Sequence, residues 1–384
     1  MLYKITKKAS EKHKDKVRKM AMRFASSFLL FLFMSSSSIA VAFHIPVVNV
    51  TAMPSVFLFG DSTFDVGTNN FLNVNQTIKA NFLYNGIDFP YSTPTGRFSN
   101  GYNTADQIVR LLGYKRSPPS FLSLLNHSST FKGRILQGVN FASGGSGLLD
   151  KTGNQFNNSM SLRKQIDQFL TVYANITTIM GPEETANMVS KSLFLISVGS
   201  NDVFDFLENS TTSPGNLLDN MLSTYHDNLK SLYDIGARKF GIISIPPIGC
   251  CPAARLYNNT GGCFEEGNEF AKKFYNATEE LLYGMKSELP GMTYSLGNSY
   301  EMTMTVIENA YAFGITDTAT ACCGDGKTQC NQKTIPCNNR NEYLFWDRFH
   351  PTQRTSELAA LTLYAGSTRF VTPFNFSMLA SNDV

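Results

Sequence analysis

A serine, a histidine and an aspartate carry the main chemical possibility of this sequence. A serine hydroxyl is a weak nucleophile at neutral pH, so it needs a base within hydrogen-bond reach and a third group to orient that base. Ser62 closes the run Phe57-Leu58-Phe59-Gly60-Asp61-Ser62, and far along the chain Phe345-Trp346-Asp347-Arg348-Phe349-His350-Pro351 sets an acid three residues before a histidine. That D-x-x-H spacing lets one loop supply both the orienting carboxylate, Asp347, and the base, His350. Of the four histidines outside the expected signal segment, His44 lies near the new terminus that its removal would leave, His127 falls inside an Asn-x-Ser sequon and His226 sits on a predicted helix face, so none of them competes well with His350. Acyl transfer also needs donors aimed at the oxyanion. The backbone N–H of Ser62, the N–H of Gly144 and the side-chain amide of Asn201 are the expected ones. Such chemistry requires no metal and no other cofactor.

Taken singly, each piece has a plainer reading. Asp61-Ser62 makes a polar turn, Gly144-Gly145 a flexible loop, Asn201-Asp202 an Asx-turn and Asp347 a helix N-terminus. Their order along the chain, at the ends of successive predicted strands, sets them apart.

The elements that must position them follow from apolar runs and punctuation. Pro54-Ser55-Val56 opens an apolar stretch through Phe59 that is too short for a helix and rich in β-formers, which predicts a central parallel strand. Further strands are expected at 138–142, 192–198 and 239–245, with a weaker one at 292–296. Helices are expected at about 104–112, 162–173, 183–189, 214–235, 265–289, 300–309 and 352–364. The stretch 91–101, dense in Pro, Gly and Ser, is expected on the surface, and 314–341 reads as a long disulfide loop. Alternating strands and helices imply a parallel sheet covered on both faces, in one domain over 54–370. Parallel strands present all their carboxyl ends on one edge, so Ser62, Gly144 and Asn201 should converge there.

Composition bounds the setting. The 384 residues, 42% apolar, suffice for a large core, and the formal charge of +3 is misleading. The first 23 residues carry nine Lys/Arg against two acids, and an apolar run (Phe28–Met34) and small residues ending in Ala40-Val41-Ala42 follow. This is the pattern of a secretory signal over residues 1–42, and removing its +7 leaves a mildly acidic chain. No basic patch argues for nucleic acid, and no later segment is long enough to span a membrane. Nine Asn-x-Ser/Thr sequons, at Asn49, Asn75, Asn126, Asn157, Asn175, Asn209, Asn258, Asn276 and Asn375, agree with secretion and N-glycosylation. So do seven cysteines confined to 250–337, which favour disulfides over a zinc site; Cys250 with Cys263 is the expected local pair, and the odd count leaves one thiol over.

Five blocks resemble those of the plant GDSL-type esterases/lipases of the SGNH hydrolase superfamily. They are Phe59-Gly60-Asp61-Ser62 running on to Asp65, Gly67, Asn69 and Asn70; Pro94 to Gly101; Asn140 to Gly147; Gly199-Ser200-Asn201-Asp202; and Phe345 to Thr352. The resemblance implies a flavodoxin-like three-layer α/β/α sandwich with a five-stranded parallel sheet. It also implies Ser62 as nucleophile, Gly144 and Asn201 as oxyanion donors, His350 as base and Asp347 as its partner. Thr63, Thr68 and Val203 depart from the family's usual leucine, asparagine and tyrosine, and are expected to bear on pocket shape. The expected protein is a secreted carboxylic ester hydrolase acting on small-molecule or lipid esters. An acyltransferase or polysaccharide deacetylase with the same triad, and a silent wall-glycan-binding glycoprotein, are the alternatives.

Overall fold

Short apolar strands separated by amphipathic helices can bury both faces of a sheet only by covering it on both sides. The structure, a computed structural model, describes residues 53–381 apart from 158, 210 and 211; the expected signal segment 1–42 and the Asn49 sequon lie outside the described residues. The regular elements begin with β1 (Val56–Gly60), α1 (Thr104–Leu111), α2 (Phe121–Asn126), α3 (Ser128–Arg134) and β2 (Gly138–Asn140). Next come α4 (Leu162–Met180), α5 (Pro182–Lys191), β3 (Leu193–Ser197), α6 (Ser200–Asn209), α7 (Pro214–Ile235) and β4 (Lys239–Ile243). After them follow α8 (Glu265–Glu288), β5 (Thr293–Gly297), α9 (Ser299–Glu308), β6 (Asp317–Ala321) and β7 (Tyr343–Phe345). The last are α10 (Gln353–Ala365), β8 (Val371–Thr372) and α11 (Phe376–Ser381).

The main sheet has the order β2-β1-β3-β4-β5-β8. The first five strands pair in parallel and β8 closes the edge antiparallel to β5. All five expected strands are therefore present. The sixth and α11 extend the packed unit past the expected boundary at Phe370, because Val371, Phe376 and Leu379 are buried in the core. A two-residue strand carries no periodicity from which to predict it.

Alternate residues of each strand feed two clusters, which makes the sandwich three-layered. One face packs on α4, α7 and α8 through Phe169, Leu229 and Phe274; the other packs on α1, α10 and α11 through Ile108, Leu363 and Phe376. Phe169 is fully buried and meets Phe57 (4.9 Å), Phe194 (5.3 Å), Phe59 and Phe141 (each 6.1 Å) edge-on, the arrangement that aromatic quadrupoles favour.

Two expectations are corrected. The stretch 91–101 is only partly a surface loop: Tyr91 is exposed, but Phe98, Ser99 and Asn100 are buried. Its backbone finds partners inside, with Gly86 and Asp88 donating to the carbonyls of Ser99 and Asn100. The loop 314–341 contains β6, which pairs in parallel with β7, and carries the disulfides Cys322–Cys337 and Cys323–Cys330. Cys250–Cys263 forms as expected, leaving Cys251 as a buried thiol that burial pushes up to about 12, so it stays protonated.

Because Phe169 joins β1, β3 and the chain just past β2 to α4, Phe169→Ala should destabilise the fold by about 3–5 kcal/mol, and Phe169→Leu by clearly less. Denaturant midpoints measured with the disulfides intact check this.

Candidate active site

The strand order places β2 on one side of β1 and β3 on the other. A crevice therefore opens at the carboxyl end of β1, where the chain direction switches. Ser62 stands in it, two residues past the strand. Its approach is rigidly held: Asp61 N–H donates to Ser197 O (3.0 Å), and Gln165 both donates to Gly60 O and accepts from Gly60 N–H (2.8 Å each). Gly60 has φ +139°, and a Cβ there would lie 2.0 Å from Ser197 O, so no other residue allows this turn to sit against β3.

The opposing groups arrive on the short loop between β7 and α10. Trp346 anchors it, fully buried beside Cys322, Cys323 and Cys330, with its indole N–H donating to Asn85 Oδ1 (2.9 Å). Trp346 N–H closes the loop on His350 O (2.8 Å). Within it Asp347 Oδ1 accepts the backbone N–H groups of Phe349 and His350 (2.9 Å each), and both carboxylate oxygens lie 2.8 Å from His350 Nδ1. His350 Nε2 lies 2.7 Å from Ser62 Oγ. Phe98 packs on the imidazole at 4.9 Å.

Burial presses the Asp347 pKa upward, but the charge and hydrogen bond of His350 and the two backbone N–H groups outweigh it, holding the carboxyl below its ordinary range. Burial presses the His350 pKa downward. The charge and hydrogen bond of Asp347, with the charge of Asp61 added, outweigh that and hold the imidazole above its ordinary value.

Ser62, Asp347 and His350 open onto a cavity of about 410 Å³ along the carboxyl edge of the sheet, whose walls present mostly apolar surface from a mixed set of residues. With this geometry in view, the comparison with known proteins is decisive: residues 56–363 match the GDSL-like lipase/acylhydrolase family. The chain belongs to that family. Among its relatives, GDSL esterase/lipase At5g55050 of Arabidopsis thaliana is 33% identical over 371 residues, covering 93% of this chain and 98% of the relative. GDSL esterase/lipase At1g71250 of the same plant is 36% identical over 341 residues, 85% of this chain and 89% of the relative. GDSL esterase/lipase 6, also from Arabidopsis thaliana, is 34% identical over 348 residues, 87% and 92% respectively. Membership of a lipase/acylhydrolase family makes the chain a serine ester hydrolase.

The GDSL blocks contain one expectation that the structure corrects. Gly144 N–H does not face the cavity; it donates to Asp65 Oδ2 (3.0 Å). Its lack of a side chain serves packing, since a Cβ there would meet Phe98 Cζ at 2.7 Å and Asn69 Nδ2 at 2.8 Å. The neighbouring Gly145 lines the cavity instead. Neither its N–H nor that of Ser62 has an acceptor among the described residues. Asn201, in the first turn of α6, also lines the cavity and gives one amide proton to Ser146 O (2.8 Å), leaving the other free to donate.

Two buried acids that sequence reasoning left without a role shape these glycine loops. Asp65 accepts from the N–H groups of Gly67 (2.7 Å), Thr68 (2.6 Å) and Gly144, while Asp202 accepts from those of Leu148 and Leu149 (2.9 Å each) and from Thr152 Oγ1 (2.6 Å). Burial raises each to about 6 against these donors. The signal available in the sequence was an acid adjoining a Gly- or Asn-rich turn. Of the three departures only Thr63 reaches the cavity, its hydroxyl donating to Asp61 Oδ1 (2.8 Å) and meeting Ser197 Oγ (3.1 Å). Thr68 and Val203 are fully buried.

Among the sequon asparagines, Asn75, Asn126, Asn157 and Asn276 are exposed, and Asn175, Asn258 and Asn375 are half-buried. Asn209 ends α6.

In Asp65→Asn an amide NH₂ would face either Gly144 N–H or the Gly67 and Thr68 N–H groups. A loss of about 1–3 kcal/mol in urea unfolding is expected, larger than for an exposed carboxylate such as Asp219 changed the same way.

Proposed function

We propose that the chain hydrolyses carboxylic esters through an acyl-enzyme on Ser62. His350 Nε2 takes the hydroxyl proton as Ser62 Oγ attacks the ester carbonyl, and then hands it to the departing alkoxide. A water next gives a proton to His350 and attacks the acyl carbon; release of the acid returns the proton to Ser62. Asp347 holds the imidazole with Nδ1–H toward itself and stabilises the imidazolium between these transfers. The N–H groups of Ser62 and Gly145 and the free amide proton of Asn201 receive the oxyanion.

The observation that carries this reading is the unbroken relay from Ser62 Oγ through His350 to Asp347, with contacts of 2.7 and 2.8 Å, at the mouth of an apolar-lined cavity. We also place the protein in the secretory pathway, N-glycosylated, with a part in lipid or acyl-ester breakdown. Three disulfides and four exposed sequon asparagines support that setting, and no described helix is long and apolar enough to cross a membrane.

Ser62→Ala should abolish labelling by a fluorophosphonate probe and lower kcat by about 10⁴-fold or more. Labelling retained at another serine would overturn the assignment of the nucleophile. Neutral imidazole is the active form, so kcat/KM should rise with pH through a midpoint above the ordinary histidine value of about 6.5. Asp347→Asn removes the charge that favours imidazolium; the midpoint should then move toward acid while kcat falls by about 10⁴-fold. A midpoint that does not move in the pH–rate profile contradicts the pairing.

A further inference from the structure

The cavity changes character along its length. Gly60, Ser197, Ile243 and Gly297 are lateral neighbours across β1, β3, β4 and β5. Strand alternation puts them on the face that carries Leu58, Leu195 and Ile243 toward α10. Three of the four are glycine or serine, so this row makes a shallow floor. At Gly297 the helix settles onto the sheet, where an added Cβ would lie 2.2 Å from Leu363 Cδ2. One and two turns earlier along α10 the residues facing the cavity are Ala359 and Thr355, too small to fill the space over Ser197 and Ile243. Met302 of α9 also lines this part. Two of its hydroxyl groups are turned into the protein: Thr355 donates to Leu344 O (2.8 Å) and Ser244 accepts from Ser299 N–H (3.2 Å). Ile243, Met302, Ala359 and Leu363 supply the apolar surface of this part, beside the hydroxyl-bearing Ser197, Ser299 and Thr303. On the other side of Ser62, beyond β1, the lining is mixed: Thr77, Gln155 and Gln329 stand beside Ile78 and Phe156, with the Gln329 amide donating to Thr77 O (2.8 Å).

We infer that the preferred substrates are esters of unbranched, medium-length fatty acids. The acyl chain runs from Ser62 over Ser197 and Ile243 beneath Ala359 and stops against Met302 and Leu363, while the alcohol leaves on the side over β2, where the glutamines lie. This deepens the hydrolase reading and rests on Ser62 as nucleophile. From β1 to β5 is three strand spacings, roughly 14 Å, which accommodates an acyl chain of about eight to ten carbons.

The test compares kcat/KM for p-nitrophenyl acetate, octanoate and palmitate below their critical micelle concentrations, with active enzyme counted by fluorophosphonate titration. Each methylene buried in the arm adds at most about fourfold. Octanoate should therefore exceed acetate by about tenfold or more, and palmitate should fall below octanoate. Ala359→Phe fills the arm and should lower the octanoate-to-acetate ratio about tenfold. Met302→Ala lengthens it and should raise palmitate relative to octanoate, which keeps the test decisive if the first variant folds poorly. A wild-type rate that falls steadily from acetate, or ratios that neither variant moves, overturns the acyl arm and leaves the hydrolase reading standing. A ratio that collapses in Ile78→Phe rather than Ala359→Phe would put the acyl chain over β2 and overturn it equally. No labelling and no turnover of any ester sinks the hydrolase reading, and the arm with it.

Discussion

The contact of 2.7 Å between Ser62 Oγ and His350 Nε2 joins residues 288 apart in sequence, and most of the architecture can be understood as what makes that contact possible. A parallel sheet delivers every strand's carboxyl end to one edge, which brings Ser62 there early; the loop after β7 belongs to the separate β6–β7 pair and reaches that edge through tertiary packing. Delivery alone leaves the imidazole free to swing. Trp346 and the disulfides beside it give the late loop a small core of its own, and Asp347 ties that loop internally before it touches the ring. The disulfides limit how far this segment strays in the unfolded chain, which lowers the entropic cost of assembling the site.

Buried carboxylates do for the glycine-rich turns what apolar side chains do for the strands. Chain around Gly67, Gly144 and Leu148 offers many N–H groups and few side chains to bury, and buried N–H groups need acceptors. Asp65 and Asp202 supply acceptors that serve several donors at once, making hydrogen bonds to an ionised group, stronger than neutral ones. Arg97 binds Asp106 of α1 at 2.6 Å in the same manner, fixing the loop whose Phe98 backs the imidazole. Without such acceptors, turns open enough to aim N–H groups into a cavity would have no fixed shape.

The choice of small residues decides where empty space remains. Gly60 and Gly144 are glycine because backbone and Phe98 press against them, whereas Gly297 and Ala359 mark where α10 touches the sheet and where it stands off. One helix thus both supplies the wall behind the histidine loop and shapes the cavity leading away from the serine. Packing interiors closely leaves few voids by accident, so a void of this size at the sheet edge reflects the side chains that were withheld.

Much of this was legible in the chain itself. Apolar runs of strand length, each ending in a turn, determine the parallel sheet and the edge on which polar residues gather, because burial on both faces tolerates little else. A serine after the first strand and a D-x-x-H late in the chain were readable as partners since each needs the other to do chemistry. What only tertiary structure decided is finer. Which N–H of Gly144-Gly145 faces the cavity depends on Asp65, acting from 79 residues away. The loop before α1 is held inside by Gln353 of α10, whose N–H donates to Asn100 Oδ1 (2.8 Å) and whose Oε1 accepts from Tyr102 N–H (2.7 Å), and the cavity's shape depends on where α10 stands off the sheet. These are contacts between distant segments, and linear spacing constrains only the residues that a single strand, turn or helix holds together.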